Sequence, residues 1–291
     1  MSAAGPGERL RLRLEQFAPA FAEPAANLRR IAHAQADAAR DGVELLLTPE
    51  LSLTGYDLRD LTAALARPLR GEPFPELTAG PDVILGLVER GEGALPFNTA
   101  VHLRNGQVLH RHRKLYLPTY GMFDEGRYFA RGRQVRSYTV GGWRLGLLIC
   151  EDLWHPALAY LLALDGVDAI LVQTAPAGRG VWEGDEHGGR FANMRAWEQL
   201  AGAAATAYGV YVAVANRVGV EHAAVFAGGS FVVAPDGRVL ARAEQAREER
   251  LTVTLDREAL VAARRPFSHL RDEDAHLLQR ELAHRLEARA C

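Results

Sequence analysis

Short apolar runs alternate with helical patterns along most of this chain. Arg9 to Phe17 alternates polar and apolar residues and predicts a first strand. Pro24 to Arg40 is alanine-rich, with apolar residues at helical spacing, and predicts a helix ending near Gly42. Val43 to Leu47 predicts a buried strand that stops at Thr48-Pro49-Glu50. Leu58 to Leu69 reads as helical, until Pro68, Pro73 and Pro75 break the pattern. Val83 to Val88 predicts another buried strand. Asn98 to Leu103 and Gln107 to His112 flank Asn105-Gly106, a hairpin signal. Lys114 to Arg133 is a long loop rich in aromatic and charged residues, a kind of segment that usually carries function.

Strands at Arg136 to Val140 and Trp143 to Ile149 follow, then a helix at Pro156 to Leu164. The second half repeats the grammar. Ala169 to Gln173 predicts a strand, a glycine-rich loop runs to Gly189, and Arg190 to Tyr208 predicts a helix. Val210 to Ala215 predicts a strand and Asn216 to Phe226 a loop. Ser230 to Ala234 and Arg238 to Ala243 form a hairpin about Pro235-Asp236-Gly237, and Leu251 to Leu255 is a last strand. Asp272 to Arg289 predicts a charged helix. Alternating strands and helices with hairpins predict an α/β fold, a mixed sheet with helices outside, and two packed sheets suit the strand count better than one. No linker divides the chain, so residues 1–291 are expected to form one domain. Its core spans about 9–256, with a helical tail over 257–291.

Composition adds three points. The net charge of −2 gives no electrostatic case for nucleic acid or an anionic membrane. The two cysteines make no disulfide framework, and no apolar run could span a bilayer or serve as a signal peptide, so a cytoplasmic location is expected. Of the 34 basic residues, 33 are arginine, and Lys114 is the single lysine. A lysine kept where nearly every other cation is arginine points to a compact ammonium or a proton-donating amine.

Glu50, Lys114 and Cys150 each lie just beyond a predicted strand, where α/β folds build sites. Taken singly they have plainer readings: a helix-start carboxylate, a surface lysine, a small buried thiol. Taken together they make a chemistry. A carboxylate can take the thiol proton and hand it to a leaving amine, and an ammonium can face a developing oxyanion. Asp185, Glu186 and His187 stand together in the glycine-rich loop but read as a solvated cluster. His102, His110, His112 and His155 have no matching ligand set, so no metal is expected.

The segments PELSLTGYDLRD, RKLYLPTYGMFDEGRYFARG, LLICEDLWHP and AGGSFVVAPDGRVLA resemble the signature segments of the nitrilase, or carbon–nitrogen hydrolase, superfamily, in order from about Leu10 to Leu255. The resemblance implies a four-layer α-β-β-α sandwich of two mixed sheets that assembles as a homodimer or higher homo-oligomer. It implies Glu50 as general base, Lys114 as oxyanion-stabilising ammonium, Cys150 as nucleophile and Glu125 as an accessory glutamate. The backbone N–H of Glu151 would be a second oxyanion donor. No cofactor is implied. Tyr120 matches a family tyrosine and is expected to touch substrate. Tyr56, Thr174 and the Glu151 side chain are further candidates, and Trp182 and Glu183 could line the pocket.

Within the superfamily, KLYLPTYGMFDEGRYF and ICEDLW look most like the glutaminase domain of glutamine-dependent NAD synthetases. That implies hydrolysis of glutamine or a similar small ω-amide through a thioester, with ammonia passed to a ligase partner. The chain departs from that pattern at Gln173-Thr174-Ala175-Pro176, where a serine-rich segment is usual, and at Val220 to Ala224, where an acidic one is. A stand-alone amidase or nitrilase, a catalytically silent interaction subunit and a redox-sensing thiol remain open. If Lys114 faces the oxyanion, Lys114→Arg should lower the amide-hydrolysis rate by about 100-fold or more. Full activity in that variant would show that any cation serves.

Overall fold

The computed structural model describes residues 7–69, 74–180, 191–267 and 269–289. β1 (Arg9–Gln16) leads into α1 (Pro24–Arg40) and β2 (Leu45–Leu47). The one-turn α2 (Thr62–Leu65) precedes β3 (Asp82–Arg90), β4 (Pro96–Arg104) and β5 (Gln107–Arg113). Next come α3 (Glu125–Tyr128), β6 (Ser137–Val140), β7 (Trp143–Ile149), α4 (Pro156–Leu164), β8 (Ala169–Thr174), α5 (Met194–Tyr208) and β9 (Tyr211–Asn216). β10 (Val218–Glu221), β11 (Ala224–Ala227), β12 (Phe231–Val233), β13 (Val239–Arg242), β14 (Glu249–Asp256), α6 (Arg257–Arg264) and α7 (Ala275–Arg289) complete the order.

Two six-stranded sheets result, in the orders β14-β1-β2-β3-β4-β5 and β13-β12-β9-β8-β7-β6. Both are mixed. β1, β2 and β3 pair in parallel, as do β7, β8 and β9, and the outer strands are antiparallel. The period-2 alternation sorts side chains between layers. Leu45 and Leu47 join the apolar cluster shared with β7, β8 and β9, whereas Leu46 packs with Leu28 and Ile31 of α1. On the other side Leu158 and Leu162 of α4 and Trp197 and Ala201 of α5 cover the second sheet. The layers are therefore helix, sheet, sheet, helix, as the sequence suggests. Among the described residues, no helix is long and apolar enough to cross a membrane.

Three segments differ from the sequence reading. Leu58 to Leu69 is not one helix. It is a 3₁₀ turn at Arg59–Leu61 and α2, after which Ala66 is extended and Arg67 bridges to Glu89 of β3. Pro68 disfavours helical backbone at the residue before it, and the sheet edge supplies another partner. The expected loop at Asn216 to Phe226 contains the β10–β11 hairpin, its alternation hidden by Gly219 and the charged turn at Glu221-His222. The long loop after Lys114 winds into the single turn of α3. The residues Trp182, Glu183, Asp185, Glu186 and His187 lie outside the described residues.

The strand ends bearing candidate chemistry turn sharply. Cys150, directly after β7, has φ +46°, and Leu51, directly after Glu50, has φ +48°. Left-handed backbone at non-glycine residues is costly and persists only where the surroundings impose it. Gly86 on β3 shows how tightly the second turn is held. A Cβ there would lie 2.6 Å from the Leu51 nitrogen and 2.7 Å from the Pro49 oxygen, backbone on either side of Glu50. Gly86→Ala should therefore cost about 1–3 kcal/mol of stability. A urea titration should show a lower midpoint at unchanged slope, and an unmoved midpoint would refute the contact.

Candidate active site

Lys114 is the residue after β5, and its backbone N–H donates to the Asn98 carbonyl of β4. That bond turns its side chain inward, where only 1% of the residue is exposed. Its ammonium donates to Glu50 Oε1 at 2.6 Å and to Glu125 Oε1 at 2.7 Å. Asn98 also donates its side-chain amide to Glu50 Oε1 at 2.8 Å, so one β4 residue fixes both the lysine and the glutamate. Glu50 is fully buried, and its Oε2 has no partner among the described residues. Glu125, placed by the turn of α3, also accepts from the Tyr56 hydroxyl.

The electrostatics follow from one cation between two anions in a dry site. Burial works against the Lys114 ammonium, but Glu125, Glu50 and a Cys150 thiolate favour it, and its pKa stands well above the usual lysine value. Burial pushes the Glu125 carboxyl up to about 7, with Lys114 pulling it down and Glu50 pushing it further up. Burial, then the Glu50 charge, pushes the Cys150 thiol well above its ordinary value, while Lys114 and the Ala175 backbone pull it back. The resting cysteine is therefore a thiol, and any nucleophilic use of it needs a base.

The turn at Cys150 opens a 3₁₀ segment, Cys150–Trp154. Asp152, two residues on and fully buried, holds it in place. Its Oδ2 accepts from the Ile149 N–H at 3.1 Å and lies 2.8 Å from His112 Nε2. Its Oδ1 accepts from the Leu115 and Tyr116 N–H groups, each at 3.0 Å. One carboxylate thus pins the cysteine turn to the segment just past Lys114. Neither Asp152 nor His112 stands out in the sequence as part of a site. An acid early in a turn and a histidine on an edge strand are ordinary, and only their meeting gives them a role.

The structure brings Glu50, Lys114 and Glu125 into one hydrogen-bonded cluster. Cys150 lies close enough for these charges to shift it. The expected substrate contacts divide. Tyr120, half exposed, donates to Glu151 Oε2 at 2.6 Å, so this pair stands at the outer edge of the cluster. Tyr56 is buried, and its phenol donates to Glu125. Thr174 ends β8. It is fully buried, and its hydroxyl bonds to Asn216 and the Ala215 carbonyl, because the parallel pairing of β8 with β9 aims it along the sheet end.

Glu221, which carried no role in the sequence, is the buried brace of the Tyr56 segment. It accepts from the Tyr56 N–H at 2.8 Å and the Asp57 N–H at 2.5 Å, and pairs with Arg217 at 2.7 Å. Gly55 has to be glycine here, with φ +83° and a Cβ position 2.8 Å from Glu221 Oε2.

The carbon-nitrogen hydrolase family matches residues 11–265. The chain belongs to the carbon-nitrogen hydrolase family. It is 33% identical over 276 residues to the glutamine-dependent NAD(+) synthetase of Thermotoga maritima, covering 89% of this chain and 45% of that protein. The chain thus spans less than half the length of that relative. It is 32% identical to a Pseudomonas protegens protein described as a hydrolase in the pqqF 5′ region, covering 92% of this chain and 90% of that one. A mutant of the Nesterenkonia AN1 amidase, from the nitrilase superfamily, superposes with a TM-score of 0.74 at 28% identity, over 96% of this chain and 99% of the amidase.

The raised Glu125 carboxyl predicts a pH dependence for a carbon–nitrogen hydrolase built this way. As pH falls through about 7, Glu125 takes up a proton and Lys114 loses one of its two countercharges. Activity should therefore decline on the acid side with a midpoint near 7, and Glu125→Gln should remove that limb. A kcat/KM profile against pH checks this, and an unaltered limb in the variant would assign the titration elsewhere.

Proposed function

We propose that this protein hydrolyses the side-chain amide of glutamine, or of a close ω-amide, through a Cys150 thioester. The observation that supports it most is the buried Lys114 ammonium held between Glu50 and Glu125 beside the strained Cys150 turn. Glu50 Oε2, unpartnered, takes the thiol proton as the sulfur attacks the amide carbon. The tetrahedral oxyanion faces the Lys114 ammonium and the Glu151 backbone N–H at the open start of the 3₁₀ turn. As the C–N bond breaks, Glu50 returns the proton to nitrogen and ammonia leaves. Glu50 then takes a proton from water, the hydroxide attacks the thioester, and the acid departs as the thiol re-forms.

Charges at the edge of the cluster support an amino-acid amide. Glu151, anchored by Tyr120, offers a carboxylate to an ammonium. The Arg179 guanidinium lies 6.0 Å from the Phe123 ring centre and against Gly121, and offers a cation to a carboxylate. The Phe123 ring in turn sits edge-to-face with Tyr120 at 5.8 Å, so both charges flank one aromatic pair. Together they complement the zwitterionic end of glutamine. The relatives named as glutamine-dependent NAD(+) synthetases agree with this reading, and a single catalytic domain that passes ammonia to a ligase, in a homo-oligomer, is part of it. The near-full-length match to the Nesterenkonia amidase favours a second reading, a stand-alone amidase on another small amide.

Ammonia release from glutamine, asparagine, simple aliphatic amides and short nitriles separates these readings. Glutamine should be turned over by the wild type and not by Cys150→Ala. Arg179→Ala should raise KM for glutamine about tenfold, the worth of one modest charged contact, and leave that for propionamide unchanged. Turnover of simple amides alone would establish the second reading, and no ammonia from a broad amide panel would overturn both.

A further inference from the structure

Next to β5, the strand that leads into Lys114, runs a groove of about 1170 Å³. It is larger than the roughly 300–1,000 Å³ usual for small-molecule sites. One wall is β5, the edge strand of its sheet. Arg111 and Arg113 alternate along it and share one buried acid. Glu89 accepts from Arg111 at 2.6 Å, from Arg113 Nε at 2.8 Å and Nη2 at 2.7 Å, and from the Thr99 hydroxyl at 3.0 Å. Arg113 also lies flat over Phe97, 3.8 Å from the ring centre. These guanidinium groups are therefore already fixed before any ligand arrives.

Arg131, Arg133 and Arg90 also line it. Arg131 donates to the Leu115 carbonyl and Arg90 to the Ala66 carbonyl, both neutral acceptors, and neither makes an ion pair among the described residues. Five arginines line the groove against two glutamates, Glu89 and Glu92, an excess of three positive charges in a chain whose net charge is −2. Apolar side chains also line the groove: Leu95, 53% exposed, Tyr116 and Leu158.

We propose that this groove docks an extended, acidic and partly apolar segment of a partner protein. Arginine forks match carboxylates, and arginine with aromatic and leucine side chains is the composition of interface centres. Along β5 the backbone positions of Arg111 and Arg113 repeat at about 6.6–6.8 Å, the repeat of an extended peptide laid beside it, while their guanidinium groups converge on Glu89. The groove adjoins the candidate site, because β5 runs directly into Lys114. The Gly132 N–H donates to the Lys114 carbonyl at 2.8 Å, and a Cβ at Gly132 would meet the Arg113 oxygen at 2.2 Å.

Binding can be measured without reference to catalysis. A fluorescein-labelled peptide alternating glutamate with leucine should bind the full chain. A lysine–leucine peptide should not, and added salt should weaken the complex. Arg133→Glu and Arg90→Glu should each weaken it about tenfold, Arg133→Glu at unchanged melting temperature. Leu95→Ser should weaken binding as well. Equal affinity in wild type and both charge reversals, or a groove that takes inorganic tripolyphosphate but not the peptide, would overturn the proposal. A glutamate–serine peptide that binds as tightly would overturn its apolar half.

Discussion

One lysine ammonium shared by two buried carboxylates governs the rest of this site. Lys114, Glu50 and Glu125 place one ammonium between two carboxyl groups away from water. Such clusters are poor sources of stability, because desolvation offsets the attraction, yet removing one partner costs about 3–5 kcal/mol. This arrangement bears on the chemistry more than on the fold. Burial, with the Glu50 charge added to it, keeps Cys150 a thiol at rest, and Glu50 Oε2, without a partner among the described residues, is able to accept that thiol's proton.

Holding the cluster falls to residues that do no chemistry. Asn98 bonds Glu50 through its side chain and Lys114 through its backbone. Asp152 ties the Cys150 turn to Leu115 and Tyr116. Glu221 braces the segment that carries Tyr56, and Tyr56 in turn fixes Glu125. Each brace is buried, where a lost hydrogen bond is not replaced by water, so geometry is held to the tolerance that proton transfer needs. The left-handed backbone at Cys150 and Leu51 is compatible with such support.

Fold class was legible because alternation and helical spacing act locally. The runs at Val43 to Leu47 and Trp143 to Ile149 could hardly be anything but buried strands. Segments whose state depends on a distant partner were not legible, such as the stretch after Leu58, which gives up helix to bridge β3. The same division holds in the site. Glu50, Lys114 and Cys150 were visible as candidate side chains at strand ends. Tyr56 and Thr174 were visible only as polar groups nearby, and the structure turns both inward to partners far along the chain.

The sequence by itself determined the layered α/β architecture, the family and the three candidate groups, because apolar periodicity and the singular lysine and internal cysteine are properties of order along the chain. Tertiary structure alone decided which carboxylate oxygen stays free, that Asp152 and His112 meet, and that five arginines line one groove. Those outcomes depend on distances between strands far apart in sequence, and no local pattern encodes such distances.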